Sequence, residues 1–185
     1  MSKTKDTKDK LRAEISLKKK QYTSEDLKAR SEEVLSVVEI TGMFQEAKTV
    51  LIYNSLADEV QTTDFIRRWS DKKEFYLPVV VSDDLVFRRY HESTEFKQSS
   101  IGIKEPLGVD FKDYKKIDLI IVPGVAFDRK KNRMGRGKGY YDRFLQNISA
   151  PKMGICFDFQ LLNDIPVDKN DIKMDYIISE NDLIW

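Results

Sequence analysis

The chain contains one cysteine, Cys156, and one histidine, His91, among 185 residues. A single cysteine excludes an intramolecular disulfide. A single histidine excludes a two-histidine zinc site, and Cys156 cannot build a zinc site alone. His91 lies among charges, with no serine or cysteine context that would suit a catalytic triad. The chain also has little net charge: 32 Lys plus Arg stand against 31 Asp plus Glu, a formal balance of +1. That balance argues against bulk nucleic-acid binding, so any anion site must be a local cluster. No apolar run approaches membrane length, and the charged start from Lys3 to Arg12 lacks an apolar signal core. No linker, internal repeat or low-complexity stretch divides the chain. A composition 41% hydrophobic and 34% charged fits one globular domain over residues 1–185. Cys156, within Met153–Phe157, reads as a small core residue of a buried strand.

What the chain does have is concentrated between Pro123 and Phe144, which reads PGVAFDRKKNRMGRGKGYYDRF. The mostly apolar run Ile117–Val122 leads into it as a buried strand and stops at Pro123. A loop follows, carrying Asp128, Arg129, Lys130, Lys131 and Arg133. Gly135, Gly137 and Gly139 then alternate with Arg136 and Lys138. Tyr140, Tyr141, Phe144, Leu145 and Ile148 recur at helical spacing, which predicts a helix from about residue 140. Glycines let backbone N–H groups turn toward one point at little steric cost. A helix start adds unpaired N–H groups and a partial positive charge. With Arg136 and Lys138, these features make a polyphosphate site. A solvated surface loop is the competing reading of the same charges. The spacing is neither that of a P-loop nor that of the GxGxxG dinucleotide fingerprint.

Elsewhere the pattern alternates between helix and strand. Residues 8–22 read as a helix with Leu11 and Ile15 on the core side. Lys8 and Arg12 are four residues apart on one face, where a solvated role is one reading. Thr23-Ser24-Glu25-Asp26 offers caps for a second helix with the stripe Leu27, Val34, Leu35 and Val38, and Gly42 reads as its stop. Thr49–Tyr53 reads as a central strand. The loop after it, 54–61, carries Glu59 and lies at the strand's C-terminal end, the edge ligands favour in open α/β sheets. Thr62 and Thr63 can cap a helix with Phe65, Ile66 and Trp69. Phe75–Val81 reads as a strand in which Pro78 suggests an irregular or edge position, and 85–90 can return beside it as a hairpin. Residues 101–106 read as a loop; 153–157 and 174–179 read as strands. The alternation predicts an α/β fold: a single three-layer α/β/α domain with a mostly parallel central sheet.

Phe127-Asp128 followed by Asn132-Arg-Met-Gly-Arg-Gly-Lys-Gly-Tyr-Tyr-Asp142 resembles the signature of the 5-formyltetrahydrofolate cyclo-ligases, also called methenyltetrahydrofolate synthetases. Lys8 and Arg12 on the first helix, Asp58-Glu59, Gly102-Ile-Lys-Glu-Pro106 and Asn170-Asp-Ile-Lys-Met-Asp175 agree with it, so the resemblance covers nearly the whole chain. It implies conversion of 5-formyltetrahydrofolate and ATP to 5,10-methenyltetrahydrofolate, ADP and phosphate, with Mg2+. It implies that Lys8, Arg12, Arg133, Gly135, Arg136, Gly137, Lys138, Gly139, Tyr140 and Tyr141 bind ATP, and that Tyr53, Asn54 and Glu59 lie at the folate. Glu59, Arg136, Lys138 and Tyr140 would take part in catalysis. Asp142 and Asp175 would stand at magnesium. From the residues alone, Asp142 also suits the first turn of a helix, Asp175 a strand end, and the two tyrosines plain packing. Ile101, where many relatives carry an aromatic, and Lys104, where a proline is expected, depart from the family pattern, which leaves open which residues stack on the pterin.

The implied chemistry explains the missing nucleophile. Phosphoryl transfer needs positioning and charge neutralisation more than a protein nucleophile. Two other classes fit parts of the sequence. One is a folate-binding protein without turnover, which would leave the γ-phosphate of ATP in place. The other is a single-strand nucleic-acid binder using Arg129–Lys138 with Tyr140 and Tyr141, which the near-neutral charge argues against. The expectation is a cytoplasmic monomer acting on a small-molecule substrate, with no nucleic-acid or membrane partner.

Overall fold

The computed structural model describes residues 3–99, 102 and 104–185. In chain order the elements are α1 (Lys3–Lys19), α2 (Ser24–Ile40), α3 (Gly42–Glu46), β1 (Thr49–Leu51), α4 (Thr63–Trp69), β2 (Glu74–Val81), β3 (Asp84–Arg89), β4 (Phe96–Gln98), β5 (Lys104–Pro106), β6 (Leu119–Val122), β7 (Ala126–Asp128), β8 (Arg133–Met134), α5 (Tyr140–Leu145), β9 (Lys152–Ile155), β10 (Leu161–Leu162), β11 (Tyr176–Ile178) and β12 (Leu183–Ile184).

Seven strands form the main sheet in the order β12-β11-β9-β6-β1-β2-β3. The five inner strands are parallel, and the edge strands β12 and β3 are antiparallel to their neighbours. The inner strands are apolar on both faces because helices cover both. Val50, Ile52, Leu119 and Ile121 point into one core with Leu35, Phe44 and Phe65 of α2, α3 and α4. Leu51, Ile120 and Val122 point the other way, into a core with Leu145 and Ile148 from α5 and the turn after it. Side chains alternate across a strand, so one short apolar run serves both layers. The three-layer α/β/α architecture is therefore present as expected. A third, smaller core joins Ile15 of α1 to Val125, Ala126, Met134 and Ile165. Through it α1 packs on the β7–β8 segment.

Several local readings change. Gly42 does not merely stop α2. The Thr41 hydroxyl, capping there, accepts the Phe44 N–H and starts α3. Pro78 sits inside β2, yet on the β1 side it holds the edge-like position that was expected. The register of β2 with β1 ends at Tyr76. Val80, two residues on and facing the same way, gives its N–H to Glu105 rather than to a strand. The missing N–H of Pro78 thus falls where no ladder partner exists. Lys104–Pro106 is not loop but the strand β5, paired with β4. Ile101 lies outside the described residues. The stretch after Pro123 is not one long loop either: β7 and β8 form a tight hairpin there.

The chain order places the ligand edge. It runs from β1 outward to β2 and β3, then returns to β6 beside β1 and proceeds the other way to β9 and β11. The order therefore reverses between β1 and β6. In open α/β sheets such a reversal leaves a crevice beyond the C-terminal ends of the two strands. Here those ends lead into residues 52–61 and 123–139.

Candidate active site

The cationic loop is seated by a packing wedge and one buried acid. Phe127 is fully buried, and its ring fills the space above Gly124 and Gly154, where a Cβ at either position would overlap it. Asp128, 0% exposed, accepts four N–H groups. They come from Lys130 N at 2.9 Å, Asn132 N at 3.0 Å, Asn132 Nδ2 at 2.8 Å and Ile165 N at 3.2 Å. A carboxylate is acceptor-only and can satisfy that many donors. It closes the β7–β8 turn, where Lys131 has a φ of 66°.

The turn delivers Arg133, which is buried. Its Nη1 donates to the Pro123 carbonyl at 3.2 Å, and its Nη2 donates to both oxygens of Asp142 at 3.0 Å. The guanidinium carbon lies 5.5 Å from the Tyr141 ring centroid. Arg133 Nε and the Tyr141 hydroxyl are both buried, and among the described residues neither has a hydrogen-bond partner. Buried polar atoms almost always have partners, so these two stand out as donors left free beside the cation–ring contact. Burial pushes the Tyr141 phenol up, the nearby Glu59 charge adds to this, and Arg133 partly opposes it. Tyr141 is therefore a donor at neutral pH.

Beyond Arg133, two of the three alternating glycines take conformations that favour glycine. Gly137 and Gly139 have φ of 96° and 69°. Gly139 caps α5 in the left-handed region that favours glycine. Arg12 of α1 reaches this loop, donating from Nε to the Gly135 carbonyl at 2.9 Å and pairing with Asp9 at 2.6 Å. Lys138 is exposed and, among the described residues, makes no hydrogen bond or ion pair through its side chain. Its carbonyl is pinned by Arg143 at 3.0 Å. Tyr140 is half-buried under the Arg143 guanidinium.

Across the crevice stands the loop after β1. Glu59 Oε2 accepts the Leu56 N–H at 3.0 Å, which fixes the carboxylate. Glu59 Oε1 takes Arg136 Nε at 3.2 Å and Nη2 at 2.9 Å, and the same Nη2 reaches Asp58 at 2.9 Å. The glycine loop and the Glu59 loop therefore meet at Arg136. Asp58 also pairs with Lys19, a buried lysine at the end of α1, at 2.9 Å. Burial favours the neutral acid at Asp58, but Lys19 and Arg136 outweigh it and hold the carboxyl below its usual range. Asn54 donates from Nδ2 to the Lys104 carbonyl at 2.9 Å, tying this loop to β5. Tyr53 is buried, with its hydroxyl spent on the Val60 carbonyl at 2.9 Å. Tyr53 thus supports the loop after β1 from beneath, with its hydroxyl proton given to the chain itself.

Lys8 is also near the loops, but not free. Its Nζ lies 2.8 Å from Asp168 and 2.5 Å from Asp171. Asp142 and Asp175 are not brought together. Asp142 lies with Arg133 at the level of Pro123, just past β6. Asp175 opens β11 at the opposite edge, where its carboxylate accepts the Lys152 N–H at 2.8 Å. Three strand residues, roughly 10 Å, separate those levels, whereas two ligands of one magnesium ion lie within about 4 Å of each other. No group of three or more His, Cys, Asp or Glu side chains among the described residues could hold a metal. Direct ligation of one magnesium ion by both Asp142 and Asp175 therefore does not fit this arrangement. Asp142 neutralises Arg133, and Asp175 caps a strand.

The sequence reading gave no place to Lys19 or Asp168. It named Asp58 and Asp171 only within the motifs that carry the resemblance, and Asp128 there and as a loop charge, with no partner for any of them. Asp128 and Asn132 at a four-residue spacing were the one local signal of a turn closed by a side chain. Cys156 is fully buried and its thiol pushed well up by burial, which fits its expected core role. No helix among the described residues is long and apolar enough to cross a membrane.

Comparison with known proteins bears on the family of the chain and on its fold. The model of the 5-formyltetrahydrofolate cyclo-ligase family matches residues 4–180. A 5-formyltetrahydrofolate cyclo-ligase of Haemophilus influenzae is 35% identical over 139 residues, covering 70% of this chain and 74% of that protein. One from Mus musculus is 30% identical over 187 residues, covering 92% of each. The solution structure of Aquifex aeolicus 5,10-methenyltetrahydrofolate synthetase superposes with a TM-score of 0.86 at 32% identity, over 96% of this chain and 91% of that one. A family match over residues 4–180, with relatives at 30% identity or more along most of their length, shows that the chain belongs to the 5-formyltetrahydrofolate cyclo-ligase family.

Proposed function

We propose that the protein cyclises 5-formyltetrahydrofolate to 5,10-methenyltetrahydrofolate with ATP as the driving co-substrate, through a phosphorylated formyl intermediate. The observation that carries this reading is the meeting of the two loops at Arg136. A cationic glycine loop and an acceptor carboxylate, Glu59, face one another across the crevice between β1 and β6.

The chemistry assigns each loop a task. The formyl oxygen attacks the γ-phosphorus; an O–P bond forms, and the bond to the β-phosphate oxygen breaks to release ADP. N10 then attacks the formyl carbon. The carbon–oxygen bond breaks, phosphate leaves with the formyl oxygen, and N10 loses its proton. The first step develops negative charge on the phosphoryl and ADP oxygens. Lys138, Arg136, Arg12 and the backbone N–H groups from Gly135 to Gly139 are suited to neutralise it. Arg133 Nε and the Tyr141 hydroxyl are donors without partners and are suited to hold ligand oxygens. Glu59, an acceptor fixed by Leu56, is suited to take an N–H of the folate and orient N10. Magnesium would travel with the nucleotide phosphates and its own waters, since the acid pair expected to hold it is split between the two edges of the sheet.

The test is absorbance of methenyltetrahydrofolate on mixing enzyme and 5-formyltetrahydrofolate, with and without ATP. Product only with ATP supports the reading. No product, with both ligands bound, would leave a folate-binding protein without turnover.

A further inference from the structure

Lys18, Lys19 and Lys20 stand in a row at the end of α1, and only the middle one is buried. The Lys19 side chain is 7% exposed, and among the described residues its ammonium has one partner, Asp58 Oδ2, at 2.9 Å. Taking a cation out of water is costly, and a buried ion pair is often no more stable than apolar side chains in its place. Stability therefore does not account for a lysine here. The far side of Asp58 does. Its Oδ1 accepts Arg136 Nη2 at 2.9 Å, and Arg136 Nη2 and Nε donate to Glu59 Oε1 at 2.9 and 3.2 Å. Two carboxylates thus fill one edge of the guanidinium, and Nη1 has no partner among the described residues. Each carboxylate is itself fixed, Glu59 by the Leu56 N–H and Asp58 by Lys19.

We infer that Lys19 is a positioning residue for Arg136: it fixes Asp58, and Asp58 turns the guanidinium so that Nη1 is left for the substrates. This rests on the reading given above, in which Arg136 meets the charge that develops during phosphoryl transfer. Lys19 itself touches no substrate in this account. Arg136 is half-exposed on a glycine-rich loop, where a long side chain samples many rotamers unless something holds it. The charge count points the same way. At formal charge, Arg136 with Asp58 and Glu59 carries −1, which opposes a polyphosphate, and Lys19 brings the four groups to zero. A donor already aimed where charge develops needs no reorganisation at the moment of reaction. Loss of that aim should therefore fall on kcat rather than on KM.

The experiment is steady-state kinetics of methenyltetrahydrofolate formation with ATP, and melting curves, for wild type, Lys19→Met, Lys19→Arg, Asp58→Asn, Arg136→Ala and Lys19→Met combined with Arg136→Ala. Lys19→Met should lower kcat about fivefold to fiftyfold, less than the hundredfold or more that follows loss of a direct charge-stabilising donor. KM for both substrates should stay within about threefold, and the melting temperature within about 3 °C, since an apolar side chain replaces a buried ion. Lys19→Arg should recover part of the loss. Asp58→Asn should repeat the fall in kcat, and it carries the test should Lys19→Met not fold. In the Arg136→Ala background Lys19→Met should cost nothing further, because the group it acts through is gone. A merely structural lysine would give independent losses that multiply. Wild-type kcat in folded Lys19→Met, or a loss that multiplies fully with that of Arg136→Ala, overturns the inference and leaves ATP-driven cyclisation standing. Wild type that forms no product with ATP overturns that reading and the inference with it.

Discussion

Asp128→Asn tests how the cationic loop is held. The carboxylate accepts four N–H groups while fully buried. An amide keeps one oxygen, which serves two of them, and turns an NH2 toward the other two. If that NH2 faces Asn132 Nδ2 and Ile165 N, rotation of the Asn132 amide can recover one contact. The Ile165 N–H is then left buried without an acceptor. A hydrogen bond to a charged group is worth about 1.5–3 kcal/mol, and an orphaned buried donor costs about 1–3 kcal/mol. The loss should be about 2–4 kcal/mol after the amide flip. Against a total of roughly 5–15 kcal/mol the variant still folds. For a chain of this size each kcal/mol moves the melting temperature by about 2–4 °C, so the shift should be roughly 5–15 °C downward. Turnover should fall too, because the same turn delivers Arg133. The assay is thermal melting followed by chemical denaturation. A melting temperature within about 2 °C of wild type would refute the claim that Asp128 anchors the hairpin.

Other variants separate the two sides of the crevice. Lys138→Ala should raise KM for ATP about tenfold to a hundredfold, from loss of one charge-assisted contact of about 1.5–3 kcal/mol, with no change in melting because the side chain is exposed; an unchanged KM in the folded variant removes Lys138 from the phosphate site. Glu59→Gln should lose most turnover while binding nucleotide nearly normally by calorimetry, and wild-type turnover would end the folate-positioning role. Asp175→Asn should leave the magnesium requirement of the rate unchanged and cost less than about 1 kcal/mol of stability, because the amide oxygen can still accept the Lys152 N–H and only the charge is lost; a raised requirement would restore Asp175 to the metal.

The sheet was legible because its inner strands bury both faces, so Thr49–Leu51 and Leu119–Val122 stand out as short apolar runs. The glycine loop was legible because Gly137 and Gly139 need positive φ, which few other residues supply. The β7–β8 hairpin was hidden. Its buried Phe127 and Asp128 are followed at once by the charged Arg129, Lys130 and Lys131, and Asp128 finds one of its donors in Ile165, far along the chain. Lys8 looked free for the same reason: its partners lie 160 and 163 residues away. Asp175 was read from a motif, which says nothing about which edge of the sheet a strand end occupies. Charges were easy to see along the chain, but their partners depend on tertiary contacts that spacing does not encode.

The central claim is that ATP activates the formyl oxygen itself. The measurement is the fate of 18O placed in the formyl group of 5-formyltetrahydrofolate, followed by mass spectrometry of the inorganic phosphate released during one round of cyclisation. The account predicts one 18O in phosphate for each methenyltetrahydrofolate formed. Unlabelled phosphate, with the label in water, would contradict it.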